Sequence, residues 1–319
     1  MRRSPALHRR ALHPPPQCVC VCVCVCVCCI PPTSAAFAAM RLLETDLQVL
    51  TRELSLYLEI QVPAGLFGSG VGLSLVLGFT AAFACYYLNS IAKTPRTYCA
   101  ANTEDLEAVI HHLHNMHASA PFMAAGVSMG GMLLLNYLGQ TGRETPLMAA
   151  AIFSAGWNVF ESAESLEKPL NWLLFNYYLT TCLQSSINRH RQMLEKLFDM
   201  NLVMKAKTIR EFDKQFTSVM FGYCTVDDYY VDASPYRKLK SIGIPVLCLN
   251  SLDDVFSPGH AIPIETAKQN PNVALVLTSY GGHIGFLEGM WPRKCTYMDR
   301  VFKQFVQAVF EHGNKICSM

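Results

Sequence analysis

The residues best placed to do chemistry are Gly126-Val127-Ser128-Met129-Gly130, followed by Gly131. A serine between small residues, on a sharp turn from a strand into a helix, has its hydroxyl lifted above the strand ends and open to an acyl carbon. Side chains at 126 and 130 would clash in such a turn, which accounts for the glycines. The backbone N–H of Met129, the next residue, would face the oxyanion that develops during attack. A serine hydroxyl is a weak nucleophile without a base to take its proton and an acid to orient that base. In chain order the acid is expected next and the histidine last. Asn250–Pro258 reads NSLDDVFSP and supplies two carboxylates. Asp254, just before the apolar pair and the proline, is the favoured acid, with Asp253 as fallback. Gly281-Gly282-His283-Ile284-Gly285 supplies the base, flanked by glycines that let His283 swing into a crowded site. The chemistry implied is nucleophilic catalysis by serine, with no cofactor and no metal.

Three strands and a helix must bring these residues together. Phe122–Val127, Pro245–Asn250 and Val273–Thr278 are short apolar runs bounded by Pro, Gly or Asn, the pattern of buried parallel strands. Leu147–Phe153 is a fourth. Gly131–Leu138 has leucines at helical spacing, Thr103–His117 opens with Glu104 and Asp105 as a helix N-terminus favours, and Thr296–His312 is amphipathic. Strands alternating with helices predict α/β architecture over residues 94–319. Residues 166–232 read as a helical insertion rich in Trp, Phe, Tyr and Leu, with Trp172–Tyr178 (WLLFNYY) as lid core or as the wall of an acyl-chain pocket.

Other clusters lack the spacing that their chemistry needs. His111, His112, His114 and His117 crowd one helix, but no HExxH-type pair at i, i+4 brackets a carboxylate, so a solvated face is the reading. Lys205, Lys207, Arg210 and Lys214 form a basic stretch of the kind carried by a solvated amphipathic helix. Net charge is +2, which gives no electrostatic drive toward nucleic acid. Only 16% of residues are charged and 51% are hydrophobic, against a soluble-domain average of about 25% charged.

Two N-terminal segments account for that bias. Cys18–Cys29 reads CVCVCVCVCVCC and holds seven of the 14 cysteines; a TG dinucleotide repeat read in frame encodes this alternation. Residues 1–39 are accordingly predicted to be a low-complexity, disordered tail, with Met40 as an alternative start. Residues 40–59 form an amphipathic juxtamembrane segment. Nothing from Ile60 to Ala92 carries a charge, and Ala64–Tyr87 is long enough to cross a bilayer core of about 30 Å. Residues 60–92 are predicted to be a single-pass signal-anchor, placing the protein in a membrane, with endomembranes the expected location.

The stretches RELSLYLE (52–59), FGSGVGLSL (67–75), AAGVSMGGMLLLNYLG (124–139), SLEKPLNWLLFNYYLTTCLQSS (165–186) and HAIPIETAKQNPNVALVLTSYGGHIGFLEG (260–289) carry a resemblance to the α/β-hydrolase family, within it to membrane-anchored phospholipases. The resemblance implies the α/β-hydrolase fold and a triad of Ser128, Asp254 and His283. It implies hydrolysis of ester bonds in phosphatidylcholines with medium-chain or oxidised acyl groups, the phospholipid and the bilayer being the partners. Some relatives carry His-x4-Asp, a motif for acyl transfer; here Glu288 stands at that spacing from His283, which weakens acyl transfer as an alternative.

One departure stands out. The family places several strands before its elbow, whereas between Lys93 and Ser128 there is room for one helix and one strand. The strand before Ser128 is therefore expected at an open sheet edge. The loop that gives the family its second oxyanion donor is missing, a loss on the order of 100- to 1,000-fold in rate. A chain without turnover is the alternative that follows.

Overall fold

The computed structural model describes residues 19–22, 96–116, 118, 122–288 and 296–316. Five parallel strands run side by side in the order of the sequence: β1 (Val19–Cys22), β2 (Phe122–Val127), β3 (Ala149–Phe153), β4 (Val246–Ser251) and β5 (Val273–Thr278). The four strands read from the sequence are all present, two of them with the same bounds. Because every strand points the same way, all carboxyl ends open on one edge, where α/β proteins build their sites.

Alternation along the strands sends side chains to two separate cores. On one face Ala124, Ala150, Ile152, Val246 and Cys248 pack with Leu133, Leu134, Leu135 and Leu138 of α2 (Met129–Thr141) and with Ile110 of α1 (Glu104–Met116). On the other, Ala125, Ala151, Phe153 and Leu249 meet Phe302 and Phe305 of the C-terminal helix Tyr297–Ile316. Both faces are covered, as a parallel sheet requires. The described residues are thus of the predicted α/β class.

The N-terminal reading needs one correction. β2 is not left at an edge, and the Cys-Val tract is not wholly without structure. β1 pairs with β2 in parallel register, Val19 opposite Phe122 and Cys22 opposite Ala125. A run with valine at every second position suits a strand, and an edge offering unpaired N–H and C=O groups recruits one. The remainder of 1–39 and the stretches 40–59 and 60–92, expected to be a juxtamembrane segment and an anchor, lie outside the described residues. Among the described residues no helix is long and apolar enough to cross a membrane.

Between β3 and β4 the chain leaves the sheet as a series of helices, including α3 (Val159–Glu167), α4 (Tyr177–Asn188) and α5 (Val226–Ala233). This stretch has a core of its own, built on Ile187, Leu194, Met200, Val203, Phe212 and Phe216. Helical turns of π type at Trp172–Asn176 and Asp213–Thr217 interrupt it. Asp213 is buried there and accepts a hydrogen bond from the Tyr230 hydroxyl at 3.2 Å. Burial raises its carboxyl from 3.8 to about 6, against the opposing pull of hydrogen bonds from Thr217 and Tyr230.

The sign of the stability effect follows. The folded state holds this proton more tightly than the unfolded chain, so stability is full below the unfolded value and falls as pH rises through the folded one. About 2 kcal/mol is lost between pH 4 and pH 7. Asp213→Asn removes that dependence. The stability of the variant minus that of the wild type, from denaturant unfolding in detergent, is expected to be more positive at pH 7 than at pH 4 by about 2 kcal/mol.

Candidate active site

β2 ends at Val127, and Ser128 turns the chain into α2 with φ 55° and ψ −124°. Few residues tolerate such a conformation, and strain of this kind persists only where the surroundings over-determine it. The Ser128 N–H donates to the Phe153 carbonyl at 2.8 Å, and its own carbonyl accepts from Met132 N–H at 3.1 Å. Both ends of the turn are therefore fixed, one to the neighbouring strand and one to the helix. A Cβ on Gly126 would come within 2.6 Å of the Gly130 carbonyl oxygen and 2.8 Å of Gly131 Cα. Those are backbone atoms at the heart of the turn and cannot yield. Ser128 stands at the N-cap of α2, yet its hydroxyl does not cap the helix. It is directed elsewhere.

Ser128 Oγ lies 2.8 Å from His283 Nε2, and His283 Nδ1 lies 2.8 Å from Asp254 Oδ2. Three residues far apart in sequence thus form one unbroken hydrogen-bonded row across the carboxyl ends of β2, β4 and β5. The Asp254 side chain is fully buried while that of His283 is 16% exposed, so the row runs from a buried carboxylate outward. The second oxygen of Asp254 accepts from Phe256 N–H at 2.8 Å. The ring of Phe256 lies on the imidazole, centroid to centroid 4.4 Å. Met129 is the first residue of α2, where a backbone N–H has no partner inside the helix and the helix dipole favours negative charge.

Asp253, the fallback acid, is engaged by other partners. Its Oδ1 accepts from the Ser251 hydroxyl and, at 2.8 Å, from Gly282 N–H. Burial alone would raise its carboxyl, but these hydrogen bonds and one from Gly281 N–H outweigh it and hold Asp253 below the usual carboxylate range. Glu288 pairs with Arg300 of the C-terminal helix, Nε to Oε2 3.2 Å.

Two contributors were not legible from the sequence. Phe256 belongs to an apolar pair whose stacking partner could be known only in three dimensions. Phe175, from the first π turn, reaches Phe256 with ring centroids 5.5 Å apart and so covers the site from the helical stretch. The aromatic richness of Trp172–Tyr178 was the signal, but it did not say which ring faces inward.

Comparison with known proteins fits this geometry. Phospholipase ABHD3 of Mus musculus is 51% identical, across 88% of this chain and the full length of that protein. This chain belongs to the ABHD3 family of α/β-hydrolases. The human ABHD3 phospholipase is 52% identical over 87% of this chain, and a Caenorhabditis elegans ABHD3 relative, protein abhd-3.2, is 32% identical over 68% of this chain and 58% of its own. The alignment with mouse ABHD3 spans 411 positions, more than the 319 residues present here, so ABHD3 carries residues without a counterpart in this chain. Among solved structures, an α/β fold family hydrolase of Bacillus anthracis is 18% identical, with a TM-score of 0.39, covering 68% of this chain and 77% of that one. No family model matches the chain.

Two substitutions test the site. Asp254→Asn leaves the row of atoms in place but favours the wrong imidazole tautomer, so kcat on a soluble ester is expected to fall on the order of 10,000-fold. Gly126→Ala forces the elbow apart and is expected to abolish that turnover and to destabilise the fold by about 1–3 kcal/mol or more, read by denaturant unfolding.

Proposed function

We propose that this chain is a membrane-bound serine hydrolase that cleaves acyl ester bonds of phospholipids. The observation that carries the proposal is the continuous row from Ser128 Oγ through His283 to Asp254. In this reading His283 Nε2 takes the Ser128 proton as Oγ attacks the ester carbonyl. Asp254 holds the imidazole in the productive tautomer and stabilises the imidazolium. The oxyanion forms against the Met129 N–H at the start of α2. His283 then gives the proton to the departing lysophospholipid oxygen, leaving an acyl group on Ser128. Water, deprotonated by the same imidazole, releases the fatty acid and restores Ser128.

The substrate class rests on the family, whose mammalian members are named phospholipases. The surface around the site supports it. Leu170, Leu173, Leu174 and Tyr177 are exposed on the helical stretch whose Phe175 packs on Phe256. An apolar rim beside a nucleophile suits an acyl chain arriving from a bilayer. On this reading residues 166–232 are a lid, and the uncharged run 60–92 is a single-pass anchor that keeps the lid at the lipid surface. Phosphatidylcholines with medium-chain or oxidised acyl groups are the proposed substrates, since such chains leave the bilayer more readily than long saturated ones.

Membranes from cells expressing this chain, given vesicles of a medium-chain phosphatidylcholine, are expected to release one fatty acid per lysophosphatidylcholine. The Ser128→Ala membranes are expected to release neither above background. Equal release from both would sink the proposal. Transfer of the acyl group to added lysolipid faster than to water would turn the reading toward an acyltransferase.

A further inference from the structure

Four non-glycine residues have positive φ among the described residues: Ser128, Ser154, Ile284 and Phe286. All four sit at the carboxyl edge of the sheet, and two belong to the loop that carries His283. Ile284 at φ 74° is the most costly, because a β-branched side chain is rarely found there. Gly282 at φ 56° takes the left-handed backbone that glycine adopts freely, so the chain turns sharply on both sides of the histidine. A loop in that state needs external holds, and strain of about 1–3 kcal/mol per residue has to be offset by them.

The holds are specific and lie on either side of the imidazole. Before it, Gly282 N–H donates to Asp253 Oδ1 at 2.8 Å, and Asp253 is braced in turn by the Ser251 hydroxyl at the end of β4. After it, Ile284 N–H donates to Ser154 Oγ at 3.3 Å. Ser154 is fully buried, follows β3, and is fixed by its own N–H on the Leu249 carbonyl at 2.8 Å. The two amides that flank His283 are thus each held by a side chain from a different strand end. Behind them, Phe286 closes the loop onto Gly281, N–H to carbonyl 3.0 Å, and plants its ring in the core beneath the sheet.

We infer that Asp253 and Ser154 are positioning residues that clamp His283 from both sides and keep its Nε2 on Ser128. This rests on the serine-hydrolase reading above and adds two residues that touch no substrate. The split of labour between adjacent carboxylates follows: Asp254 orients the ring, and Asp253 orients the backbone that bears it. A base displaced by about 1 Å loses on the order of 100-fold in rate.

The test uses the full chain in detergent, with two readouts. Residue-resolved hydrogen exchange reads the Gly282 and Ile284 amides directly. Hydrolysis of a soluble short-chain p-nitrophenyl ester reads the base. For Asp253→Ala the expectation is exchange at Gly282 faster by about tenfold or more, kcat lower by about 10- to 100-fold, and KM within about twofold. Asp253→Asn keeps a carbonyl acceptor for Gly282 N–H and is expected to recover most of kcat. Ser154→Ala is expected to do to Ile284 what Asp253→Ala does to Gly282, with the β4 amides still protected.

Unchanged exchange at these amides overturns the clamp. So does faster exchange with unchanged kcat, or a loss of kcat that Asp253→Asn does not recover. Ester turnover by the wild type no greater than that of Ser128→Ala would instead defeat the serine-hydrolase reading, and with it any positioning role.

Discussion

The hydrogen bond between Asp254 Oδ2 and His283 Nδ1 is the interaction on which the rest of the site turns. Only while Nδ1 is held there can Nε2 present a lone pair to the Ser128 hydroxyl. The carboxylate is fully buried, so it keeps its partner without competition from water. A buried ionised group without such a partner would be destabilising by several kcal/mol. The pair therefore fixes both the tautomer of the base and the path of two loops, one after β4 and one after β5. Parallel strands make this arrangement possible, because they bring the ends of β2, β4 and β5 to one edge although the residues are far apart in sequence.

That edge is also where backbone strain collects. Ser128, Ser154, Ile284 and Phe286 all have positive φ, and none is glycine. The layers of leucine, isoleucine and phenylalanine on both faces of the sheet supply the stability that tolerates it. Functional geometry and the hydrophobic core are coupled through the strand ends. The core fixes where β3, β4 and β5 stop, and those stops fix Ser154, Asp253 and Asp254.

Much of this was legible in the sequence, because the informative patterns are local. A strand followed by Gly126-Val127-Ser128-Met129-Gly130 names its own turn, and the order Ser128, Asp254, His283 follows the order of the strands. Choosing Asp254 over Asp253 was possible from its position beside the apolar pair and the proline. The role left for Asp253 was not legible, since its partner is a backbone amide in a distant loop. Ser154 gave no signal, as nothing about a serine after a strand announces a left-handed backbone. β1 was hidden for a different reason. A Cys-Val repeat suits a strand but carries no turn or partner information, so its pairing with β2 is visible only in the structure.

The central claim is that the row of Ser128, His283 and Asp254 forms a working nucleophile in this chain, despite the residues it lacks relative to ABHD3. The most direct measurement is labelling of membranes with a fluorophosphonate probe and mass-spectrometric mapping of the adduct, for this chain, its Ser128→Ala variant and full-length mouse ABHD3 at equal abundance. The account predicts an adduct on Ser128 of this chain and none on the variant. An adduct on mouse ABHD3 with none on this chain would contradict it. The short interval before Ser128 would then have cost the nucleophile its reactivity, and the geometry would describe the family rather than this protein.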